Sequence, residues 1–183
     1  YLTKDIILTN ETGVDSSSTA YSGTLYGNGK TITINMSYSR QKVSGTIGLL
    51  FSFLSGTVRD CTIVLNGNVS FYDYSGSDTS YTTIQGIVCG ELNTGTITNV
   101  NVIVNGAFNF IGRDTGSSGK KGGTGALVGG FAGFTRGGTI SNCYLINNNI
   151  IYGGAEDDHG SDKEDSSTRV CVGGFVGEVA ASK

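Results

Sequence analysis

The chain has 183 residues, a formal net charge of -3 at pH 7 and only 15% charged residues. It contains no basic cluster for a phosphate backbone and no apolar run near the roughly 18 residues of a membrane helix, so we expect neither nucleic-acid binding nor a membrane span. With 30 glycines and no proline or tryptophan, its surface is polar mainly through Ser, Thr, Asn and Gly. This composition favours an extracellular β-rich protein over a cytosolic enzyme.

The first part of the chain contains strand patterns around one glycine-rich corner. Residues 1–9, YLTKDIILT, predict a strand, and residues 21–34 read YSGTLYGNGKTITI. Within the second segment, Gly27-Asn28-Gly29 precedes an alternating Thr-Ile strand. Glycine and asparagine tolerate the left-handed conformation that sharp corners need. The segment therefore predicts a divergent first coil.

Three near-copies of one phrase follow, at 48–71, 86–110 and 129–153, and a fourth copy opens at Gly173. The opening glycines of successive copies are 38, 43 and 44 residues apart. Each copy has a glycine-rich apolar stretch, a short turn, a β-branched strand, an Asn-centred turn and a closing strand. This predicts three strands and two corners per unit. A repeat of this kind is typical of a solenoid, in which each unit covers its neighbour's apolar face.

Alignment of the copies places apolar residues in common columns. These columns are Val58, Ile97 and Ile140; Cys61, Val100 and Cys143; Ile63, Val102 and Leu145; and Leu50, Val88, Phe131 and Phe175. Equivalent residues of a parallel solenoid stack about 4.8 Å apart, so each column predicts an internal ladder. We therefore predict an all-β, parallel β-helix of about four to five right-handed coils. An antiparallel sandwich fits less well, because hairpin strands have no reason to recur in fixed register.

Ser-, Gly-, Asp- and Lys-rich stretches separate the copies, at about 72–85, 111–126 and 153–170. All three leave the unit after its third strand, so we expect long loops along one edge of the solenoid. Loops on a rigid scaffold often carry binding residues, although solvated connections are the simpler interpretation. The interrupted copy at 173–183 indicates that residues 1–183 are one β-helix domain and a segment of a longer chain.

An acidic run at 156–165 contains six carboxylates in ten residues. Carboxylate oxygens bind Ca²⁺, so Asp157, Asp158 and Asp162 are candidate calcium ligands of a calcium-dependent adhesin. Their spacing does not match an EF-hand loop, and a solvated acidic loop is the preferred interpretation. The only histidine, His159, lies in the same run, where nothing predicts a rigid catalytic geometry.

Catalytic residues do not accumulate in register, and no cofactor motif is present. Arg59 and Asp60 lie on one strand, but the positions equivalent to Asp60 are Asn99 and Asn142, whereas sugar hydrolysis typically requires two carboxylates. We therefore predict that the chain is not an enzyme. A carbohydrate-binding or carbohydrate-cleaving β-helix is the alternative. Its aromatic candidates are Tyr26, Tyr72, Tyr74, Tyr81 and Tyr144.

The four cysteines lack the C-x-x-C spacing of zinc or thioredoxin-type redox sites. Cys61 and Cys143 occupy one column two rungs apart, about 9–10 Å by the strand spacing, which exceeds the roughly 7 Å that a disulfide allows between Cα atoms. We expect buried thiols. A bridge between Cys89 and Cys171 stays an open alternative.

Three N-x-S/T sequons begin at Asn10, Asn35 and Asn68. Each accepts N-linked sugar if the chain enters a glycosylating secretory pathway. Asn68 is the preferred acceptor, because its predicted place at a coil corner lets a glycan project outward.

The phrases GGFAGFTRGGTISNC (129–143), GGFVGE (173–178) and GIVCGELNTGTITNV (86–100) resemble the GLUG motif. The phrase GTLYGNGKTI (23–32) resembles the lead-in coil of such repeats, whereas GLLFSF at Gly48 departs from the pattern. The resemblance implies a large secreted or surface-attached protein in which these repeats form spacer or adhesive solenoids. We therefore expect an extracellular structural or adhesive chain, possessing no cofactor, that self-associates or continues through its ends, with glycans as further partners.

Overall fold

The computed structural model describes residues 1–9, 19–41, 45–73, 82–114, 125–157 and 170–180. These ranges form eighteen β-strands, and every strand pair among them is parallel. No helix long and apolar enough to span a bilayer occurs in the described part of the chain. The predicted all-β, parallel solenoid is confirmed.

The strands follow one another in coils. A preceding partial coil contributes β1 (Ile6–Leu8). The first full coil contains β2 (Thr24–Ile34), β3 (Tyr38–Gln41), β4 (Thr46–Gly48) and β5 (Phe51–Leu54). The second contains β6 (Thr57–Leu65), β7 (Val69–Asp73), β8 (Thr82–Gly86) and β9 (Cys89–Leu92). The third contains β10 (Thr96–Val104), β11 (Phe108–Asp114), β12 (Gly125–Gly129) and β13 (Ala132–Thr135). The fourth contains β14 (Thr139–Ser141), β15 (Tyr144–Asn147), β16 (Ile151–Asp157), β17 (Val170–Gly173) and β18 (Val176–Val179).

Equivalent strands of successive coils pair into four sheets. Sheet A runs β1-β2-β6-β10, and both β14 and β15 pair with β10. Sheet B runs β3-β7-β11-β16, sheet C runs β4-β8-β12-β17, and sheet D runs β5-β9-β13-β18. The chain visits the sheets in the order A, B, C, D in each coil, so one coil adds one strand layer to every sheet.

The coil has four sides, so the prediction of three strands per unit was wrong. The glycine-rich stretch was predicted to open the unit, but a further strand precedes it in each coil, and these strands form sheet C. Parts of the predicted loops, such as 82–85 and 111–114, are strands. The three long connections at 74–81, 115–124 and 158–169, which lie outside the described residues, each join sheet B to sheet C. The flanking strands agree with the prediction that all three connections leave the coil at the same corner.

The predicted apolar columns are confirmed by the strand register. Ile97 pairs with Val58 on one side and with Ile140 on the other, and Val102 pairs in the same way with Ile63 and Leu145. In the column that starts each glycine-rich phrase, the rings of Phe131 and Phe175 stack with centroids 4.9 Å apart. These ladders are the core of the solenoid, because each coil buries the inward residues of the coil beneath it.

Sheet C lies between two other sheets. On one side, a Cβ added to Gly153 of sheet B would lie 3.2 Å from the side chain of Val128 in sheet C. On the other side, a Cβ added to Gly133 of sheet D would lie 2.5 Å from the backbone nitrogen of Gln85 in sheet C. Three consecutive residues of β12, at 126–128, are buried as a result. Strands covered on both faces lose the alternation of apolar and polar residues.

One residue per coil in sheet A has a left-handed backbone. These residues are Asn28, Asp60, Asn99 and Asn142, with φ of 52°, 57°, 53° and 53°. Asparagine and aspartate adopt this conformation more readily than other side-chain-bearing residues. In the fourth coil the strand path of sheet A is interrupted at this bend, between β14 and β15. Between the second and third coils the bend brings the side chains of Asp60 and Asn99 into contact on the outer face.

Candidate functional surfaces

A charged cluster lies on the outer face of sheet A, at the left-handed column. Arg59 Nε is 2.6 Å from Asp60 Oδ2, and Asn99 Nδ2 donates to Asp60 Oδ1 at 2.6 Å. The Arg59 guanidinium also lies 5.0 Å from the ring centroid of Tyr26. The Asn99 hydrogen bond is the main cause that lowers the pKa of Asp60, and the bond from Arg59 acts in the same direction. Asp60 is therefore a charged, fully partnered group.

A second charged cluster, which the sequence prediction missed, lies on the face of sheet D turned away from sheet C. One column there alternates aromatic and acidic residues: Phe53, Glu91, Phe134 and Glu178. Glu91 is buried, with its side chain 6% exposed, and Arg136 Nε lies 2.6 Å from its Oε1. The same guanidinium lies 5.2 Å from the Phe134 ring centroid. The repeated Gly-Glu pair in GELN and GEVA was the sequence signal for this column.

An asparagine ladder follows the corner between sheets A and B. Asn148 Nδ2 donates to Asn105 Oδ1, and Asn105 Nδ2 donates to Asn66 Oδ1, both at 2.9 Å. The register of β2 and β6 places Asn35 at the same position one coil earlier. Stacked amides of this kind stabilise parallel in-register strands. The Asn-centred turn that the sequence predicted is therefore also a connection between coils.

The predicted glycan acceptors have different positions. Asn68 is exposed at the corner as expected, and its Oδ1 accepts a hydrogen bond from the Ala107 backbone at 2.9 Å. Asn35 is also exposed, whereas Asn10 lies outside the described residues. The geometry leaves the side chains of Asn35 and Asn68 accessible to solvent, and glycosylation at either one stays a prediction.

The predicted calcium ligands fall largely outside the described residues. Asp158 and Asp162 belong to the connection at 158–169. Asp157 ends β16, where its backbone pairs in register with Asp114 of β11. Within the described ranges, no group of three or more His, Cys, Asp or Glu residues has metal-binding geometry. Only Asp157 of the three predicted ligands lies in the described ranges, so the calcium site stays a prediction.

The cysteines are free thiols in this structure. Cys61 and Cys89 are buried, and Cys143 and Cys171 are half-buried. Burial raises the pKa of Cys61 to about 11 and also raises the pKa of Cys89. The open alternative of a Cys89–Cys171 bridge is not realised. Buried, protonated thiols of this kind act as small apolar side chains.

The described candidate tyrosines do not form a joint platform. Tyr26 is half-buried, beside the edge of Tyr1 at 5.1 Å between ring centroids. Tyr144 lies in the fourth coil, where it is 68% exposed. Tyr74 and Tyr81 lie outside the described residues, and the side chain of Tyr72 is not described. The two described rings are three coils apart on sheet A.

The open face of the fourth coil exposes the inward columns. Val172, Phe175 and Val179 are 45%, 42% and 66% exposed, respectively. One coil earlier, the same columns hold Val128, Phe131 and Thr135, which are 0%, 0% and 8% exposed. The side chains of the third coil are less exposed because the fourth coil covers them, whereas no described strand layer covers the fourth coil.

No protein-family model, curated protein or solved structure matches this chain. The resemblance of its glycine phrases to the GLUG motif therefore stays a prediction.

Proposed function

We propose that this chain is a structural and adhesive extracellular β-solenoid that extends by stacking strand layers on its open ends. The observation that supports the proposal is the exposed face of the fourth coil, where three inward columns of apolar side chains meet solvent. A covering layer removes this apolar surface from water, which is favourable in proportion to the area buried. The layer is either the next coil of a longer chain or a second copy.

The contacts inside the solenoid indicate how such a layer binds. Between the third and fourth coils, Phe131 N donates to Phe175 O at 2.9 Å, and Gly130 N donates to Gly174 O at 2.9 Å. The edge strands β14 to β18 present the same kind of backbone groups on their other side. Unpaired strand edges are templates for further strands. An added strand layer then continues the backbone pairing, the apolar columns and the asparagine ladder of the solenoid.

Self-association of the purified 183-residue chain tests the proposal. We expect sedimentation velocity to show concentration-dependent oligomers and electron microscopy to show rods that lengthen by end-to-end contact. Val172→Lys combined with Val179→Lys places two charges where the next layer packs, so the rods shorten. Lysine on an edge strand is a natural means of blocking such pairing.

The matched control is Thr94→Lys, which adds a positive charge at an exposed position of the second coil, away from both edge layers of the solenoid. This variant is expected to form rods like the unmodified chain. A chain that stays monomeric at every concentration, or rods that the two valine substitutions leave unchanged, would contradict stacking between copies.

A second candidate function is binding or cleavage of carbohydrate, and one observation favours it. Glu91 and Glu178 lie on one face of sheet D, two rungs apart, which is about 10 Å by the strand spacing. This separation is close to that of inverting glycosidases, but Glu91 is engaged by Arg136. Screening of soluble polysaccharides for hydrolysis and for binding, with Glu178→Gln as the control, tests this candidate. If Glu178→Gln leaves hydrolysis and binding unchanged, this candidate function is excluded.

A further inference from the structure

Four columns on the outer faces of sheets A and B change character along the solenoid. From the first to the fourth coil, they contain Thr31, Thr62, Asn101 and Tyr144; Thr33, Val64, Ile103 and Ile146; Ser37, Asn68, Ala107 and Ile150; and Ser39, Ser70, Asn109 and Tyr152. Small polar residues occupy all four positions in the first coil. Large apolar residues occupy all four in the fourth.

The large residues of the fourth coil face solvent. Tyr144 is 68% exposed and Ile146 is 50% exposed, while Ile150 and Tyr152 are 59% and 48% exposed. Tyr144 and Ile146 alternate with Leu145, whose side chain points inward, since a Cβ on Gly130 would lie 3.0 Å from it. Tyr144 and Ile146 therefore lie on the outer surface, and they are more exposed than Asn101 and Ile103 of the same columns because the described fourth coil has a neighbouring layer on one side only. Contiguous exposed apolar side chains indicate an interaction surface.

On sheet A the apolar character continues through four of the five layers. One outward column, the sheet A stripe, is β-branched and uncharged in all five layers: Ile7, Thr33, Val64, Ile103 and Ile146. Ile7 at its other end is 64% exposed. The equivalent path on sheet B holds serine and asparagine before Tyr152. Sheet A thus carries an aliphatic ridge that is interrupted by Thr33 and is most exposed in its two end layers, at Ile7 and Ile146. The equivalent column of sheet B has a large apolar residue in the fourth coil alone.

We propose that the outer face of sheet A binds a second copy of this chain side by side, with the sheet A stripe and Tyr144 at the centre of the contact. Side chains in an outward column of sheet A repeat at the strand spacing of about 4.8 Å. A surface that fits between them is another β-sheet with the same spacing. A second copy supplies that sheet. The stripe itself has no charged residue, and Arg59 and Asp60 on the same face are paired with each other. Two copies therefore meet without a net like-charge repulsion, as a symmetric interface requires.

Other occupants fit this surface less well. Recognition of a sugar chain relies on aromatic rings and polar groups, whereas the sheet A stripe is aliphatic in four layers and threonine in the fifth. A charged polymer finds no complementary charge on the stripe. The proposed contact is lateral, so it goes beyond the end-to-end stacking and involves different residues.

Lateral association is measured separately from stacking in the end-blocked chain that carries Val172→Lys and Val179→Lys. We expect this chain to form dimers by analytical ultracentrifugation. Adding Tyr144→Asn and Ile146→Thr, which introduce residues that the same columns hold in earlier coils, is expected to weaken dimerisation by about tenfold or more. Ile146→Val is expected to retain it, because valine occupies the same column at Val64.

The matched control in the same end-blocked chain is Ile150→Ala with Tyr152→Asn, which introduces the residues of the third coil on the sheet B side. It is expected to leave the dimer nearly unchanged, and circular dichroism of each variant checks that the fold is intact. An end-blocked chain that stays monomeric overturns the proposal, as does a dimer that the sheet A variant leaves unchanged. A monomer that binds a saccharide through Tyr144 overturns it in favour of a glycan. If the unmodified chain forms rods while the end-blocked chain stays monomeric, lateral docking is disproved and end-to-end stacking is not.

Discussion

Gln85 lies directly beneath Val128 in one column of sheet C, and both side chains are fully buried. The same column contains Ile47 in the first coil, so glutamine interrupts an otherwise apolar ladder. Neither amide atom of Gln85 has a hydrogen-bond partner, and the hydroxyl of Thr83 on the same strand also has none. Buried polar groups without partners reduce the free energy of unfolding.

Apolar replacements at these positions are therefore predicted to stabilise the chain. Thr83→Val removes an unpaired hydroxyl with almost no change in shape, and Gln85→Leu removes an unpaired amide. Each is expected to raise the free energy of unfolding by about 1–3 kcal/mol. Urea denaturation followed by circular dichroism measures the change. Thr94→Val, at an exposed position of the second coil, is expected to have little effect, and a loss of stability in Thr83→Val would be contrary to the prediction.

Gly133→Ala is predicted to be strongly destabilising. Its new Cβ would lie 2.5 Å and 2.6 Å from the backbone nitrogen and oxygen of Gln85, so sheets C and D would have to separate. Overpacking typically costs about 1–3 kcal/mol, and a clash with backbone lies at the upper end of that range or beyond. The matched variant is Gly174→Ala, whose Cβ makes only a 3.4 Å contact with Leu145. Similar melting temperatures for the two variants would show that the close contact between sheets is not required.

The pKa of Asp60 is predicted to depend on Asn99. The folded chain lowers this pKa from its usual 3.8, first through the Asn99 hydrogen bond and then through Arg59. The ionised form therefore favours folding above the usual pKa, and this contribution disappears as the pH falls through the folded value. Asn99→Ala is expected to raise the pKa of Asp60 towards 3.8 in an NMR titration of its carboxyl carbon. Asn105→Ala, which removes an amide of the ladder, is expected to leave it unchanged.

Thiol chemistry is predicted to report on the core. Burial raises the pKa of Cys61 to about 11 from 9.0, so iodoacetamide at neutral pH is expected to label Cys61 only after unfolding. Because the unfolded thiol ionises first, the free energy of unfolding is expected to decrease as the pH rises from about 9 to about 11. Cys61→Val, which introduces the kind of residue that Val100 supplies in the next coil, is expected to reduce this dependence. Rapid labelling of Cys61 in the folded chain would show that the reagent reaches this part of the core, contrary to the prediction.

Much of sheet A was predictable from the sequence. In a parallel solenoid, residues at equivalent places in successive copies are also neighbours in space, so alignment of the copies gives the register directly. Val58, Ile97 and Ile140 were placed in this way. The Asn-centred turns were also visible, because few residues tolerate the backbone of a sharp corner.

The charged cluster on sheet D could be predicted only in part. The Gly-Glu pairs recur in the sequence, but the burial of Glu91 depends on Arg136, which lies 45 positions further along the chain. Nothing in the local sequence indicates that one glutamate is enclosed by an arginine from the next coil. The outward columns follow from the alignment of the copies for the second to fourth coils. The threonine and serine of the first coil join these columns only through the strand register, because a register shift separates Tyr26 from Lys30.

The amino-acid sequence by itself determined the solenoid class, the approximate number of coils and the inward columns of sheet A, because a periodic chain repeats its contacts with the same period. Only the tertiary structure decided that each coil has a fourth side and that Gln85 is buried there. The strands of sheet C are three to five residues long, diverge between copies and are covered on both faces. In the sequence these strands show neither the repeated phrase nor an alternation of apolar and polar residues. Their position therefore follows only from the two sheets that enclose them.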